Sequence, residues 1–253
     1  MNGFLSCFFI AIAYSFLPSS LIMFLVVERE NNAKLQQIVS GVSIPAYWFS
    51  NLVVDYVKYL IPAIFTLLSL LMYDVQIFID KEHIGPTITL ALLFGPCFIG
   101  FTYLTSFMFK GPSSAQVFTF VFSVFTGFIL MIASQVLRII PSTRNFQLNF
   151  LEYIFRLFPM FDYCFGMFTM SSAVFWQFVF DLPDSPKPWS KYGMIKEALT
   201  MPIMTIVFFS LIFVIEFKKG ILEKEKPAPK LKASGEELEA KMLENSDENE
   251  DLE

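Results

Sequence analysis

Long apolar runs, each about the length needed to cross a bilayer, fill the chain as far as Phe217. A helix of about 20 apolar residues spans the hydrocarbon core, which is about 30 Å thick. The runs that meet this requirement are residues 3–27, 51–73, 86–109, 115–137 and 194–217. The pattern therefore predicts five membrane-spanning helices.

A further apolar stretch, residues 148–180, has a different pattern. It is interrupted by charged residues and by residues that break helices, namely Glu152, Arg156, Asp162, Pro159 and Gly166. Two helices of roughly 10–14 residues with a break between them are too short to cross a bilayer, but they fit a re-entrant hairpin. We therefore expect an external hairpin here, with Glu152 and Arg156 forming an i,i+4 ion pair.

Composition supports a membrane protein with a charged tail. Of the 253 residues, 55% are hydrophobic and 16% are charged, with a net charge of −5. Too few polar side chains remain to cover the surface of a soluble domain. An acidic chain without a basic stripe also argues against nucleic-acid binding. We therefore predict an all-α polytopic helical bundle, with a membrane domain at 1–217 and a charged linker at 218–253.

Several chemistries are excluded by the residues present. No glycine is followed by lysine, so the chain has no phosphate-binding P-loop. His83 is the single histidine, which leaves no histidine-based metal site or catalytic triad. Cys7, Cys97 and Cys164 lie in apolar runs and are predicted to be buried thiols. We expect no catalytic residue, no metal and no cofactor bound by this chain.

The polar segment after the first apolar run predicts a short amphipathic helix. Asn31 or Asn32 can cap its start, and Gly41 can end it. One face is apolar, with Leu35, Ile38 and Val39, and the other carries Lys34 and Gln37. Such a helix is either an interfacial elbow that joins two spans or a docking element for a cytoplasmic partner.

Basic residues predict the orientation of the chain. Lysines cluster immediately after the last span, at residues 218–232, which favours a cytoplasmic C-terminus. Five crossings then place the N-terminus outside. The amphipathic helix falls inside, and residues 138–193 fall outside.

Asp55 and Lys58 lie three residues apart in the second predicted span. Charge inside a membrane is costly, although an i,i+3 pair near a helix end can neutralise itself. The alternative is a polar patch at the rim of a cavity, where it would contact a lipid headgroup.

Three segments closely resemble the membrane domain of subfamily A ABC transporters, a lipid-translocating family. The first comprises residues 28–30, 33–37, 39–43 and 47–51 with Asp55, and the others are 106–115 and 155–161. The resemblance covers residues 17–170. One departure occurs after Phe161, where Asp162 to Gly166 replaces the Cys and glycine-rich turn usual in the family, so the turn of the hairpin is left open.

The resemblance implies a fragment that runs from the second to the sixth span of the second membrane half of an ATP-coupled lipid exporter. ATP and Mg would bind a nucleotide-binding domain beyond the fragment. The partners would be that domain, the other membrane half, the bilayer and a lipid substrate. The coupling helix to the ATPase would comprise Glu28, Arg29, Glu30, Lys34, Leu35, Gln37, Ile38, Ser40 and Gly41. Alternatives are a free-standing permease-like subunit that recruits a separate ATPase, or a membrane fragment or scaffold without a transport role.

Overall fold

The computed structural model describes residues 2–173, 175, 177, 187–190 and 193–225, and this part of the chain contains no β-strand. Its helices are α1 (Asn2–Glu30), α2 (Ala33–Val39), α3 (Ile44–Met72), α4 (Gln76–Ile79), α5 (Ile84–Ser106), α6 (Pro112–Val124), α7 (Leu130–Ile139), α8 (Pro141–Phe146), α9 (Glu152–Phe155), α10 (Pro159–Ser171) and α11 (Ile195–Glu225). Two π-helical turns, Phe125–Ile129 and Gln147–Leu151, join α6 to α7 and α8 to α9.

Five helical segments are long and apolar enough to cross a membrane. They are Leu5–Glu30, Ile44–Met72, Ile84–Ser106, Pro112–Ile139 and Ile195–Lys218. The predicted all-α bundle with five spans is therefore confirmed. The second span begins seven residues before its predicted start at residue 51. Pro45 lies in the first turn, where it suits a helix start, and the Ser43 side chain accepts a hydrogen bond from the Ala46 amide at 3.4 Å.

The core of residues 1–213 lies where α1, α5 and α10 meet. Helix α1 runs along α6 and also contacts α5 and α10, whereas α3 lies at the edge of the bundle against α5. Tyr163 of α10 is buried in the centre, and its ring centroid lies 5.0 Å from that of Tyr14 and 4.7 Å from that of Phe94. The last part of α11, from Val214, belongs to a second unit.

The apolar stretch that charged residues interrupt forms two helical segments separated by a short break. Helices α8 and α9 and the turn between them run continuously from Pro141 to Phe155, and α10 starts at Pro159 after a short break. The predicted break at Pro159 is therefore observed. The predicted break at Gly166 is wrong, because α10 continues through it. A Cβ at Gly166 would lie 3.0 Å from a methyl of Leu90, so the glycine allows close helix packing instead. The end of the predicted hairpin lies outside the described residues.

Two kinds of irregularity in the spans have local causes. Pro96 lacks an amide hydrogen, which frees the carbonyl of Leu92, and the Tyr56 hydroxyl donates to that carbonyl at 3.2 Å. The π-helical turn after α6 presents Gly127 to α10, where an added Cβ would lie 3.2 Å from a methyl of Met160. A π-helical turn and a glycine at this point let α10 approach the fourth span closely.

Candidate functional site

Helix α2 is a separate seven-residue helix between the first two spans, bounded by two residues with positive φ. Asn32 precedes it with φ of 54°, and Gly41 follows it with φ of 101°. The Gly41 amide donates to the carbonyl of Ile38 and the Val42 amide to that of Gln37, which is a Schellman arrangement. The predicted end at Gly41 is confirmed. The predicted side-chain cap is wrong for Asn32, since its side chain makes no capping hydrogen bond.

Lys34 points from α2 into a group of aromatic rings on its own chain. Its ammonium nitrogen lies 4.6 Å from the ring centroid of Trp48, 5.2 Å from that of Tyr47 and 5.9 Å from that of Phe107. A cation over an aromatic face is attracted by the ring quadrupole. Within the chain, Lys34 therefore packs on aromatic rings, on the face of α2 opposite Leu35 and Val39. Sequence spacing could not reveal this, because Phe107 comes from the distant end of α5.

The last turn of α1 adds two further attachments. The Glu28 carboxylate accepts hydrogen bonds from the Tyr47 hydroxyl at 3.0 Å and from the Gln37 amide at 3.4 Å. The Arg29 guanidinium donates to the carbonyl of Ser106 at 2.8 Å and to its hydroxyl at 3.1 Å. These bonds connect α1 with α2, with the start of α3 and with the end of α5.

The remaining residues of the predicted coupling segment lie on its surface. Leu35 and Val39, four residues apart, have 52% and 80% of their surface exposed, whereas Ile38 is half-buried. Glu30 and Ser40 are also exposed, and the Ser40 hydroxyl donates to the carbonyl of Gln36. Within the chain, α2 therefore presents an uncovered apolar pair on the side away from its attachments.

Asp55 and Lys58 form the predicted i,i+3 ion pair, with 3.2 Å between Lys58 Nζ and Asp55 Oδ1. The carboxylate side chain is 12% exposed and the lysine side chain 70% exposed. Asp55 has a second partner that sequence spacing did not reveal, because the Tyr103 hydroxyl donates to Oδ2 at 2.5 Å. Both charged residues line a cavity of about 550 Å³ between α1 and α3, together with Glu28 and Asn51.

A buried ionic network surrounds the break between α9 and α10. Glu152 accepts from Arg138 at 2.6 Å and from Arg156 at 2.7 Å, which confirms the predicted i,i+4 pair. Arg156 also donates to Glu197 at 2.6 Å and lies 3.6 Å from Asp162. Sequence reasoning missed the roles of Arg138 and Glu197. The sequence feature that could have indicated both residues is a charged side chain at one end of an otherwise apolar run.

Protonation within this network follows from burial and charge. Burial raises the pKa of Glu152, but the neighbouring Arg138 and Arg156 outweigh burial and hold the pKa at about 2. Burial raises the pKa of Asp162 well above its usual range, even though Arg156 opposes the shift. The Thr200 hydroxyl donates a hydrogen bond to this carboxyl group at 2.7 Å, which partly opposes the rise in its pKa.

Metal-ligating and redox groups are sparse in the described residues. No group of three or more His, Cys, Asp and Glu side chains in these ranges could hold a metal ion. Cys7, Cys97 and Cys164 are free thiols and are buried, as expected from the apolar runs that contain them.

Comparison with known proteins assigns the chain to a family. The family described as "ABC-2 family transporter protein" matches residues 1–215. The chain is similar to human ATP-binding cassette sub-family A member 2, with 32% identity over 165 residues, 64% of this chain and 7% of that protein. It is also similar to human Phospholipid-transporting ATPase ABCA3, with 32% identity over 160 residues, 63% of this chain and 9% of that protein.

A longer match covers 88% of this chain and 10% of human Phospholipid-transporting ATPase ABCA7, with 28% identity over 230 residues. The chain thus spans about a tenth or less of the length of these three relatives. Its matched segment coincides with the helical bundle and its spans. The chain is an integral multi-pass membrane protein that belongs to the ABC-2 transporter membrane family.

Proposed function

We propose that this chain is the membrane-spanning part of an ATP-coupled transporter that moves phospholipids across the bilayer. Two of the relatives above are named phospholipid-transporting ATPases, and their similarity falls on the membrane bundle of this chain. Such a chain would do no bond-making chemistry itself. ATP and Mg would bind a nucleotide-binding domain, and this bundle would supply half of the lipid path beside a second membrane half.

The observation that supports this proposal most directly is the attachment of α2. Contacts of Lys34, Glu28 and Arg29 link α2 and the end of α1 to the start of α3 and the end of α5. Leu35 and Val39 are left uncovered. A force applied to α2 by an ATPase would therefore reach three spans at once. Leu35, Val39 and the half-buried Ile38 would contact the ATPase, and the exposed Glu30, Gln37 and Ser40 would lie around that contact.

The orientation in this proposal places α2 and the lysine-rich residues 218–232 in the cytoplasm, with the N-terminus outside. Cytoplasmic loops carry an excess of Lys and Arg near membrane spans. An ATPase that uses cellular ATP must meet the bundle on that same side.

The cavity between α1 and α3 would receive the lipid headgroup. Most of its lining is apolar, and Asp55, Lys58 and Glu28 are the charged residues that line it. Ligand cavities typically combine an apolar lining with a few polar groups that orient the ligand. Lys58 would contact the phosphate of the headgroup, and the carboxylates would contact its amine.

Coupling can be tested by removing the uncovered apolar pair. We expect Leu35→Ser with Val39→Ser, reconstituted in vesicles with the nucleotide-binding domain, to keep membrane insertion but to lose lipid-stimulated ATP hydrolysis and lipid flop. The control is Gln36→Ser, an exposed polar position on the same helix. Unchanged coupling in the double variant would return α2 to the role of an interfacial elbow. An ATPase that co-purifies as a separate polypeptide would favour the permease-like subunit, and no ATPase at all would favour the scaffold.

The headgroup assignment has its own test. Lys58 is exposed, and an exposed ion pair is worth only about 0–1 kcal/mol, so Lys58→Gln should leave thermal stability nearly unchanged. We expect it to lower lipid-stimulated ATPase activity several-fold, whereas Lys110→Gln, at an exposed turn, should not. Full activity in Lys58→Gln would leave Asp55 and Lys58 as a self-neutralising pair.

A further inference from the structure

Asp162 has the weakest hydrogen-bond support of the three carboxyl groups in the buried ionic network. Glu152 accepts hydrogen bonds from three cationic side chains, and Glu197 accepts one from a guanidinium at 2.6 Å. Asp162, with 1% of its side chain exposed, accepts from the neutral Thr200 hydroxyl at 2.7 Å. Among the described residues, its Oδ1 atom has no hydrogen-bond partner. If one of the three groups carries a proton, Asp162 is therefore the one that the geometry favours.

Arg156 does not close an ion pair with Asp162. Its Nη1 atom lies 3.6 Å from Asp162 Oδ1, which is beyond hydrogen-bond distance, and neither atom has a hydrogen-bond partner in the described part of the chain. The other amine, Nη2, lies 2.7 Å from Glu152 and 2.6 Å from Glu197. An ionised Asp162 would draw Nη1 into a charge-assisted hydrogen bond of about 2.7–2.9 Å. The longer distance fits a carboxyl group without charge.

Burial and like charge both favour the neutral form of Asp162. A buried carboxylate is costly unless it is paired, and a nearby carboxylate disfavours a second negative charge. Burial raises the pKa of Asp162 and the charges of Glu197 and Glu152 raise it further, whereas Arg156 opposes them. A protonated Asp162 also carries a hydrogen-bond donor. Glu197 Oε2 is a buried acceptor in the same network, and within the described ranges it has no partner.

Protons can reach this network from an adjoining cavity. The cavity has a volume of about 440 Å³, its lining includes Arg156 and Glu197, and the Lys196 side chain beside them is 31% exposed. Charged and titratable side chains around Asp162 and its network come from α5, α7, α9, α11 and the break before α10, and they are Cys97, Arg138, Glu152, Arg156, Lys196 and Glu197. From α1, Tyr14 stacks on the neighbouring Tyr163. Arg156 is the cation within ion-pair distance of Asp162.

We propose that Asp162 is the proton-binding residue of this network and that it makes the contact between α10 and α11 depend on pH. With the proton bound, Arg156 holds Glu197 of α11, and Asp162 donates to the same carboxylate. When the proton leaves to water, Arg156 Nη1 closes on Asp162, and the carboxylates of Asp162 and Glu197 repel each other across the contact. Acid therefore fastens the start of α11 to α10, and alkali loosens it. This inference goes beyond the proposed transport function, because it needs neither ATP nor α2.

Infrared spectroscopy of the intact chain tests for the proton directly, because a protonated carboxyl group has a carbonyl-stretching band that an ionised carboxylate lacks. A maltoside detergent is used because it contains no ester or carboxyl group. At about pH 6.5, where an ordinary aspartate is ionised, we expect a band that is lost in Asp162→Asn. The control Asp80→Asn, at an exposed position, should keep it. Raising the pH should remove the band from the original protein with a single midpoint.

Thr200→Val provides a second test if Asp162→Asn fails to fold. It removes the hydroxyl that stabilises the ionised form of Asp162, so the midpoint at which the band disappears should rise by roughly half to one pH unit. The control is Thr205→Val on the same helix, because the Thr205 hydroxyl donates to the carbonyl of Met201. This control should leave the midpoint unchanged.

Amide hydrogen exchange tests the consequence for α11. Above the midpoint, the amides of residues 198–201 should exchange several-fold faster in the original protein than in Asp162→Asn at the same pH, because asparagine stays neutral. Below the midpoint, the two proteins should exchange alike. This pattern would support a contact that the proton controls.

The opposite results are equally clear. Absence of the band in the original protein would mean that Asp162 is ionised, and persistence of the band in Asp162→Asn would place the proton on another carboxyl group. Either result would overturn the proton site. Equal exchange of residues 198–201 in the two proteins above the midpoint would overturn the link to α11.

Discussion

Removing the charge of Lys34 is the most direct way to test how α2 is held. The side chain reaches over Trp48, Tyr47 and Phe107, with the Trp48 ring centroid at 4.6 Å. Lys34→Met keeps a long apolar side chain of similar reach and deletes the charge. Lys34→Arg keeps a cation that can stack on the same rings and is therefore the matched control.

The expected magnitude follows from the geometry. A cation–π contact is worth about 0.5–1 kcal/mol at an exposed site and about 2 kcal/mol when desolvated. Lys34 is half-buried, so its three ring contacts together should stabilise the docked α2 by about 1–2 kcal/mol. A helix of seven residues does not persist alone in water, so undocking of α2 and its unfolding should be one event. A loss of 1–2 kcal/mol corresponds to an increase of roughly 5–30-fold in the undocked population.

Amide hydrogen exchange in lipid nanodiscs measures that population. In Lys34→Met, the amides of residues 33–39 should exchange roughly 5–30-fold faster. Amides in the middle of α5 should be unchanged, and Lys34→Arg should resemble the original protein. Equal protection of α2 in Lys34→Met and in the original protein would refute the reasoning and leave α2 held by Glu28 alone or by the bilayer.

Three further predictions follow from the same structure. The pKa of Glu152 is lowered from 4.5 to about 2 in the folded state, so its contribution to stability is present above about pH 4.5 and is lost as pH falls through about 2. Glu152→Gln should therefore weaken the pH dependence of the free energy of unfolding between pH 4.5 and 2, as measured by denaturant titration. Gly95→Ala would place a Cβ 2.6 Å from the rings of Tyr56 and Tyr59 and should cost about 1–3 kcal/mol, whereas Gly85→Ala, with nothing within 4 Å, should leave the melting temperature unchanged or slightly raised. The proposed orientation places residues 138–193 outside, so an impermeant thiol reagent on intact cells should label cysteines introduced at Phe146 and at Lys187 alike, and labelling of only one would indicate a sixth crossing.

The sequence by itself determined the membrane class, the five spans and the short helix between the first two. Each follows from local properties, since a run of apolar residues must be helical in a bilayer and Gly41 ends a helix wherever its neighbours lie. The Glu152–Arg156 and Asp55–Lys58 pairs were predictable for the same reason, because residues three or four apart on a helix are neighbours.

Tertiary structure alone decided which face of each element is used. Lys34 points inward because Phe107, more than seventy positions away, completes an aromatic surface that periodicity cannot detect. Helix α10 continues through Gly166, and the missing side chain at this position leaves room for Leu90 of α5. Arg138 and Glu197 become partners of Glu152 and Arg156 only because the fold brings α7 and α11 next to the segment that carries this pair. A buried charge must find an opposite charge, but which charge it finds depends on long-range packing.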